Sequence, residues 1–356
     1  MPGVVAYGAA HVEDVLRHLL AQGGRLAPLS PVEDGSPERG SASLDDVRGQ
    51  ATGKFALATA AAGGHGLLFV GPPGAGKSML ARRLGTLLPP PSVDERLDIT
   101  RVLSAAGRWP GGLARERPFR APHHSVSYAG LVGGGSPPSA GEITLAHCGV
   151  LFLDELPEFR REVLEALRQP LESGEILISR AGKQLELDAR FQLVAAMNPC
   201  PCGYQGHPRV PCSCPPVHVQ RYRRRISGPL LDRIDLRVEL AAPTFDELTD
   251  SAARAPADES RAERLARCVE RARARQGTRQ GARRNADLSA DEIDAFAPLD
   301  SSTRTLLSRA ARSRGLSARA LQSLRRVAST LADLDDAETV DASHVARAIA
   351  LRSALA

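Results

Sequence analysis

Leu67-Leu-Phe-Val70 runs directly into Gly71-Pro-Pro-Gly-Ala-Gly-Lys77-Ser78, which opens onto Met79-Leu-Ala81. The order is an apolar strand, a complete G-x-x-x-x-G-K-S loop and the start of a helix. Gly71, Gly74 and Gly76 leave room for backbone N–H groups to close around phosphate oxygens. Lys77 can reach the outer phosphates, and the Ser78 hydroxyl can complete a Mg²⁺ shell. Pro72, Pro73, Ala75 and Met79 fill out the stretch expected to contact the nucleotide. The partner of this loop is Val150-Leu-Phe-Leu-Asp154-Glu155, a buried-strand run that ends in two carboxylates. Asp154 is expected to hold Mg²⁺ and Glu155 to polarise the attacking water. Two acids after a strand can also mark a helix N-terminus, but with the loop upstream the pair reads as the second half of an ATP-hydrolysing site.

Composition narrows the class. The chain has 356 residues, of which 42% are apolar and 4% aromatic, enough for two domains and a large core. No stretch approaches the roughly 18 unbroken apolar residues of a membrane span, and the N-terminus lacks the basic-then-apolar order of a signal peptide, so the cytoplasm is the expected compartment. Lys and Arg number 46 against 41 acids, a net charge of +5 that permits a polyanionic partner without requiring one.

Residues 1–26 carry a helical pattern through Val12, Val15, Leu16, Leu19 and Leu20, too little to fold alone. Residues 27–43, rich in Pro, Ser and Gly, read as a linker. From 44 to 240 apolar strands are expected at 67–70, 150–154, 191–196 and 234–238, with helices at 50–61, 77–88 and 158–169. That alternation is an α/β layer structure with ligand at the strand C-termini. Gly130 to Gly141 and the alternating segment Glu175 to Leu187 read as projecting insertions, the latter a hairpin around Gly182. Residues 241–285 read as a linker and a basic helix, the latter over 257–276. In 286–356 helices are expected near 289–296, 300–313, 317–334 and 341–354, with Asp341 as an N-cap.

Asn198 follows the apolar run 193–197 and stands where an amide could orient the lytic water or touch the terminal phosphate; a turn asparagine before Pro199 is the plainer role. Arg233, in Leu230-Leu-Asp232-Arg233-Ile-Asp235, is either an internal partner of its neighbouring acids or a guanidinium offered to a phosphate of a neighbouring subunit, and spacing does not choose. Cys200-Pro-Cys202 and Cys212-Ser-Cys214 bring four thiols within 15 residues, a set suited to one tetrahedral structural Zn²⁺. The C-x-C spacing departs from the usual C-x₂-C, which leaves free thiols or iron–sulfur and redox use open. Arg221-Tyr-Arg-Arg-Arg225 and the arginines from 261 to 284 suit nucleic-acid phosphates, or equally solvated helix faces and salt bridges between subunits. His123 and His124 are expected to have local hydrogen-bonding roles.

Five collinear stretches carry a resemblance. They are the phosphate loop, Arg117-Pro-Phe-Arg-Ala-Pro-His-His124, Gly141-Glu-Ile-Thr-Leu-Ala-His-Cys-Gly-Val-Leu-Phe-Leu-Asp-Glu-Leu-Pro157, Ala196-Met-Asn-Pro-Cys-Pro-Cys-Gly203 and Tyr222-Arg-Arg-Arg-Ile-Ser-Gly-Pro-Leu-Leu-Asp-Arg-Ile-Asp235. Through them the whole chain resembles the bacterial magnesium-chelatase-like AAA+ ATPases of the YifB/ComM group. The resemblance implies an AAA+ P-loop core with a helix-two insert at 130–141 and a pre-sensor hairpin at 175–187, followed by a C-terminal helical lid. It implies a homo-hexameric ring with ATP between subunits, Arg233 as the arginine finger, Asn198 as the sensor at the water and Arg319 as the sensor on the lid. Arg180 and Lys183 would face the pore. The implied activity is ATP-driven movement on single-stranded or branched DNA, as a helicase or branch-migration translocase in recombination or natural transformation. A chelatase-type or protein-remodelling ATPase acting on a partner protein is the alternative. Family members begin with a Lon-protease-like domain, of which residues 1–26 resemble only the closing segment.

Overall fold

The computed structural model describes residues 5, 7–20, 25–28, 43–109, 111–135, 139–180, 183–249 and 260–355. Most of the expected linker at 27–43 lies outside these residues, as do the side chains of Arg180 and Lys183. The chain forms two compact units, 1–39 and 40–356. In the first, the helix Val12–Leu19 carries a Glu13–Arg17 ion pair one turn apart, and Leu26 N–H donates to His18 Nδ1. Its apolar residues Val12, Leu16 and Leu19 are exposed.

The second unit contains, in chain order, α1 (Ala51–Gly63), β1 (Leu67–Val70), α2 (Lys77–Arg82), β2 (Phe119–Arg120), β3 (Val150–Leu153), α3 (Pro170–Ser173), β4 (Glu175–Arg180), β5 (Lys183–Asp188), β6 (Gln192–Met197), β7 (Leu236–Glu239), α4 (Arg261–Gln280), α5 (Ala318–Leu334) and α6 (Ala342–Ala350), with shorter helices between them. Five strands form one parallel sheet in the order β2-β3-β6-β1-β7. The central strands are apolar at every position but Gln192, which starts β6, because both faces are covered, as in parallel sheets generally. Alternation sorts their side chains. Leu67, Phe69, Val150, Phe152, Val194 and Ala196 join one apolar cluster, while Leu68, Val70, Leu151, Leu153, Leu193 and Ala195 join the other.

The first face is covered by α1, whose Ala56, Ala58, Ala60, Ala61 and Ala62 let neighbouring elements approach closely, and beyond it by α4, α5 and α6. The C-terminal helices therefore share one core with the sheet. Asp341 caps α6, accepting from the N–H groups of Ser343 and His344. The second face is covered by Ile143, Val163, Leu164, Tyr222, Ile226 and Leu230. The alternating segment after Gly174 is the antiparallel hairpin β4–β5, and Gly133–Gly134 pairs with Ser139–Ala140 in a small second one. Among the described residues no helix is long and apolar enough to cross a membrane.

Some elements differ from the sequence expectations. The helix expected over 77–88 breaks at Arg83, whose guanidinium Nε donates to Ser43 carbonyl oxygen at 2.7 Å, and resumes as Leu84–Leu87. The one expected over 158–169 is divided into a 3₁₀ turn, Leu156–Glu158, and Arg161–Ala166, with Pro170 starting α3. The helix Val93–Ala105 was not anticipated, although Ser92-x-x-Glu95 is a capping box and forms one, with Ser92 N–H donating to Glu95 at 2.8 Å.

Candidate functional site

The glycine loop leaves the C-terminal end of β1 and turns into α2. Gly74 and Gly76 hold φ of 78° and 82°, the left-handed region in which side chains are strained. A Cβ at either position would meet nothing within 4 Å, so backbone conformation rather than crowding calls for glycine there. Gly76 is also the N-cap of α2, which leaves the first helical N–H groups facing the loop.

Lys77 is buried, and its ammonium donates to the carbonyls of Gly71 at 2.7 Å and Pro72 at 2.9 Å and to Asn198 Oδ1 at 3.0 Å. Burial lowers its pKa, opposed by the charges of Asp154 and Glu155. Ser78 Oγ donates to Asp154 Oδ2 at 2.5 Å. Three strands thus deliver the expected group to one place, β1 through the loop, β3 through Asp154 and Glu155, and β6 through Asn198. A hydroxyl oxygen beside a carboxylate oxygen is a donor set that suits Mg²⁺, and a lysine among carbonyls at a helix start suits a polyphosphate.

Glu155 has φ of 53°, a conformation that costs a non-glycine residue about 1–3 kcal/mol and clusters at working sites. Its Oε2 lies 3.1 Å from His124 Nδ1. The sequence reading gave His124 only a local role; the structure instead puts it on the acid expected to act on water. His123 does stay local, with Nδ1 2.8 Å from Ser125 Oγ.

Arg233 and Arg319 are elsewhere. Gly66, which precedes β1, has its α-carbon face against Arg233 carbonyl oxygen and Ile234, whereas Gly71 follows β1. The five residue steps from Gly66 to Gly71 along this extended segment span about 16 Å. Both arginines line a cavity of about 770 Å³ together with Gly64, Gly66, Arg190 and Phe191, at the N-terminal ends of β1, β6 and β7. Arg233 donates to Pro229 carbonyl oxygen at 2.8 Å and to Glu172; Arg319 Nη1 is 3.3 Å from the other oxygen of Glu172. The sequence alternatives for Arg233 did not include Glu172. Arg319 therefore does not close over the phosphate loop of its own chain.

The four thiols of Cys200, Cys202, Cys212 and Cys214 converge. Cys200 Sγ is 3.4 Å from Cys202 Sγ and 3.6 Å from Cys212 Sγ, and Cys202 and Cys212 are 3.6 Å apart. Sulfurs at the corners of a tetrahedron with Zn–S bonds of 2.3 Å stand about 3.8 Å apart, so the set fits Zn²⁺. Backbone N–H groups of Gln205, Cys202 and Cys214 point at sulfurs of the set, as around bound thiolates. N–H donation from Tyr204 lowers the Cys202 thiol to about 5. Gly203 packs this knuckle against Pro73 of the phosphate loop, a contact that spacing did not disclose.

The basic stretches divide. Arg273 donates to Ala61 carbonyl oxygen, Arg275 to Asp336 and Ala337, Arg279 to Asp333, Arg283 to Glu292 and Arg284 to Asp287. The C-terminal half of α4 and the residues after it are tethered internally, while Arg264 and Arg271 stay exposed. Tyr222 is buried, and burial raises its hydroxyl to about 12, so it offers no stacking face. Arg221, Arg224 and Arg225 stay exposed and, with Arg160 and Arg161, line a cavity of about 560 Å³.

The family model described as magnesium chelatase, subunit ChlI, matches residues 43–248, and that of its C-terminal part matches 259–352. YifB of Salmonella typhimurium is 42% identical over 97% of this chain and 67% of its own length. YifB of Escherichia coli is 46% identical and the competence protein ComM of Haemophilus influenzae 44% identical, each over 87% of this chain. This chain spans 60% of the length of each of those two. The protein belongs to the magnesium-chelatase family of AAA+ proteins, in its YifB/ComM-like branch.

Proposed function

We propose that this chain hydrolyses ATP as one subunit of a homo-hexameric ring and uses the energy to move on DNA. The observation that carries the reading is the meeting of Lys77, Ser78, Asp154, Glu155 and Asn198 at the C-terminal edge of the sheet, within a chain of this family. In the proposed reaction Gly71 to Met79 wrap the phosphates, and Lys77 exchanges its carbonyl partners for phosphate oxygens. Ser78 and Asp154 hold Mg²⁺, which when bound offsets charge on the transferring phosphoryl group. Glu155, steadied by His124, takes the proton of the attacking water, and Asn198 orients that water against the terminal phosphate. Arg233 and Arg319 come from a second copy, because their own chain keeps them at the far end of the sheet. Cys200, Cys202, Cys212 and Cys214 hold a structural Zn²⁺ that stiffens the turn between Asn198 and the loop. Residues 44–240 act as the core, 241–285 as the connection with the basic helix and 286–356 as the C-terminal helical region, with 130–141 and 175–187 as the helix-two insert and pre-sensor hairpin.

DNA as the substrate is supported by the exposed arginines 160, 161, 221 and 224, by the positive charge balance and by likeness to a competence protein. Phosphate contacts by arginine position a strand without reading its sequence. The second reading, a chelatase-type or protein-remodelling ATPase, is favoured by the family model's description. ATP hydrolysis with and without forked DNA separates the two. The proposal expects turnover that DNA stimulates and ATP-dependent DNA binding by assembled rings; absence of both would overturn it.

A further inference from the structure

Glu172 sits in the cavity that Arg233 and Arg319 share, one carboxylate oxygen toward each guanidinium. The arrangement is that of an anion held between two arginine forks, the place an external phosphate would take. Arg233 has a side chain only 10% exposed, and its Nε–H has no hydrogen-bond partner. That Nε–H is enclosed, so an incoming anion would meet the guanidinium on the Nη side that Glu172 occupies. Glu172 is 56% exposed, so its carboxylate can leave for water at small cost. Arg233 lies at a helix end, donating to Pro229 four residues back, and cannot follow.

Glu172 is also coupled to a projecting element. It lies in α3, and Glu175 begins β4 three residues later. The link is short and rigid. Gly174 accepts a φ of 74°, Ser173 Oγ accepts from Glu175 N–H at 3.3 Å, and Ala189 N–H at the end of the hairpin donates to Gly174 carbonyl oxygen at 2.8 Å. A shift of the α3 backbone at Glu172 therefore carries the base of β4–β5 with it.

We propose that Glu172 is a positioning residue that occupies the phosphate place between Arg233 and Arg319 until a phosphate group from a nucleotide on a second copy displaces it, and that its release moves the β4–β5 hairpin. The inference rests on the proposed role of Arg233. It makes the hairpin a reporter of the neighbour's nucleotide, through one carboxylate.

The test uses the full chain with Leu177→Trp as a fluorescent reporter on β4, where Leu177 is 46% exposed, and Trp109→Phe to remove the native signal. ATP and a non-hydrolysable ATP analogue are the probes. In the reporter protein either nucleotide shifts the emission. Adding Glu172→Gln removes the competing charge, so the apparent KM for ATP falls about threefold or more and the emission no longer responds to nucleotide. Adding Glu172→Asp instead restores both readings toward those of Glu172. A merely structural role would raise KM or leave it unchanged. A Glu172→Gln protein whose KM does not fall, or whose emission still follows nucleotide, overturns the proposal. Arg233→Ala in parallel locates the failure. If it does not reduce hydrolysis, the finger reading falls and takes the Glu172 inference with it; if it does while Glu172→Gln changes neither reading, the Glu172 inference alone falls.

Discussion

The two ends of the parallel sheet are built from the same strands and carry opposite kinds of chemistry. At the C-terminal end, a contiguous loop and the residues just after β3 and β6 bring together Lys77, Ser78, Asp154 and Asn198, the proposed phosphate and metal site. At the N-terminal end, Glu172, Arg233 and Arg319 come together from points up to 147 residues apart. The first end is set by short-range geometry, because strand, loop and helix must follow one another to present backbone N–H groups. The second exists only once α5 has packed on α1. If Arg233 and Arg319 serve the glycine loop, as proposed, a chain that holds them at opposite ends of its sheet needs a neighbour to complete the site, and that is the physical content of the proposed ring.

The sharpest way to break this contrast is Arg233→Ala. It is expected to lower ATP turnover by roughly 10³-fold or more while leaving nucleotide binding nearly intact, since a finger acts on transition-state charge. Turnover and equilibrium nucleotide binding, measured on the same preparation, check the split. Glu155→Gln is expected to cost roughly 10²–10⁴-fold through loss of the base. His124→Ala sharpens that result, with a loss of about tenfold to a hundredfold from a misplaced Glu155. Turnover unchanged by His124→Ala would mean that the 3.1 Å contact does not serve the reaction.

Metal and arginines give smaller effects. Elemental analysis is expected to find about one Zn²⁺ per chain, and a double change of Cys200 and Cys212 to serine should abolish it and lower turnover several-fold by loosening the Gly203–Pro73 contact. Full zinc occupancy in that variant would contradict the assignment. Arg279→Ala leaves Asp333, with its side chain 1% exposed, short of a cation. Breaking such a buried pair costs about 3 kcal/mol, which thermal unfolding reads. Replacing Arg221 and Arg224 together by glutamine should leave unfolding unchanged and reduce the salt dependence of DNA binding by about two phosphate contacts. The pair of outcomes separates tethering arginines from substrate-facing ones.

Much of the first end was legible in the sequence. The apolar runs that became β1, β3 and β6 are buried on both faces, so they read as nearly unbroken hydrophobic stretches, and glycine, lysine and acid at fixed offsets announce the loop. The hairpin β4–β5 was legible from the alternation of Gln184 to Asp188 and from Gly182 between its two runs. The second end was not, because nothing local in Pro170-Leu-Glu172-Ser marks a carboxylate that two distant guanidiniums will share. Arg273, Arg275 and Arg279 misled for the same reason. On a helix they repeat like a solvated stripe, and only the packing of α4 on α1 and α5 turns them inward. The His124 contact depends on a loop after β2, a two-residue strand too short to announce itself.

Mixing two inactive proteins asks most directly whether one site is shared between copies. Glu155→Ala subunits lack the base but keep Arg233, and Arg233→Ala subunits lack the finger but keep the base. In a mixed ring, interfaces that join an intact phosphate-loop end to an intact arginine end are competent. Under conditions that allow subunits to exchange, ATP hydrolysis should be nearly absent in each protein alone and return on mixing, rising to a maximum at intermediate ratios. Hydrolysis that stays at the level of the separate variants at every ratio, with mixed assembly verified, would contradict a site completed by a neighbour.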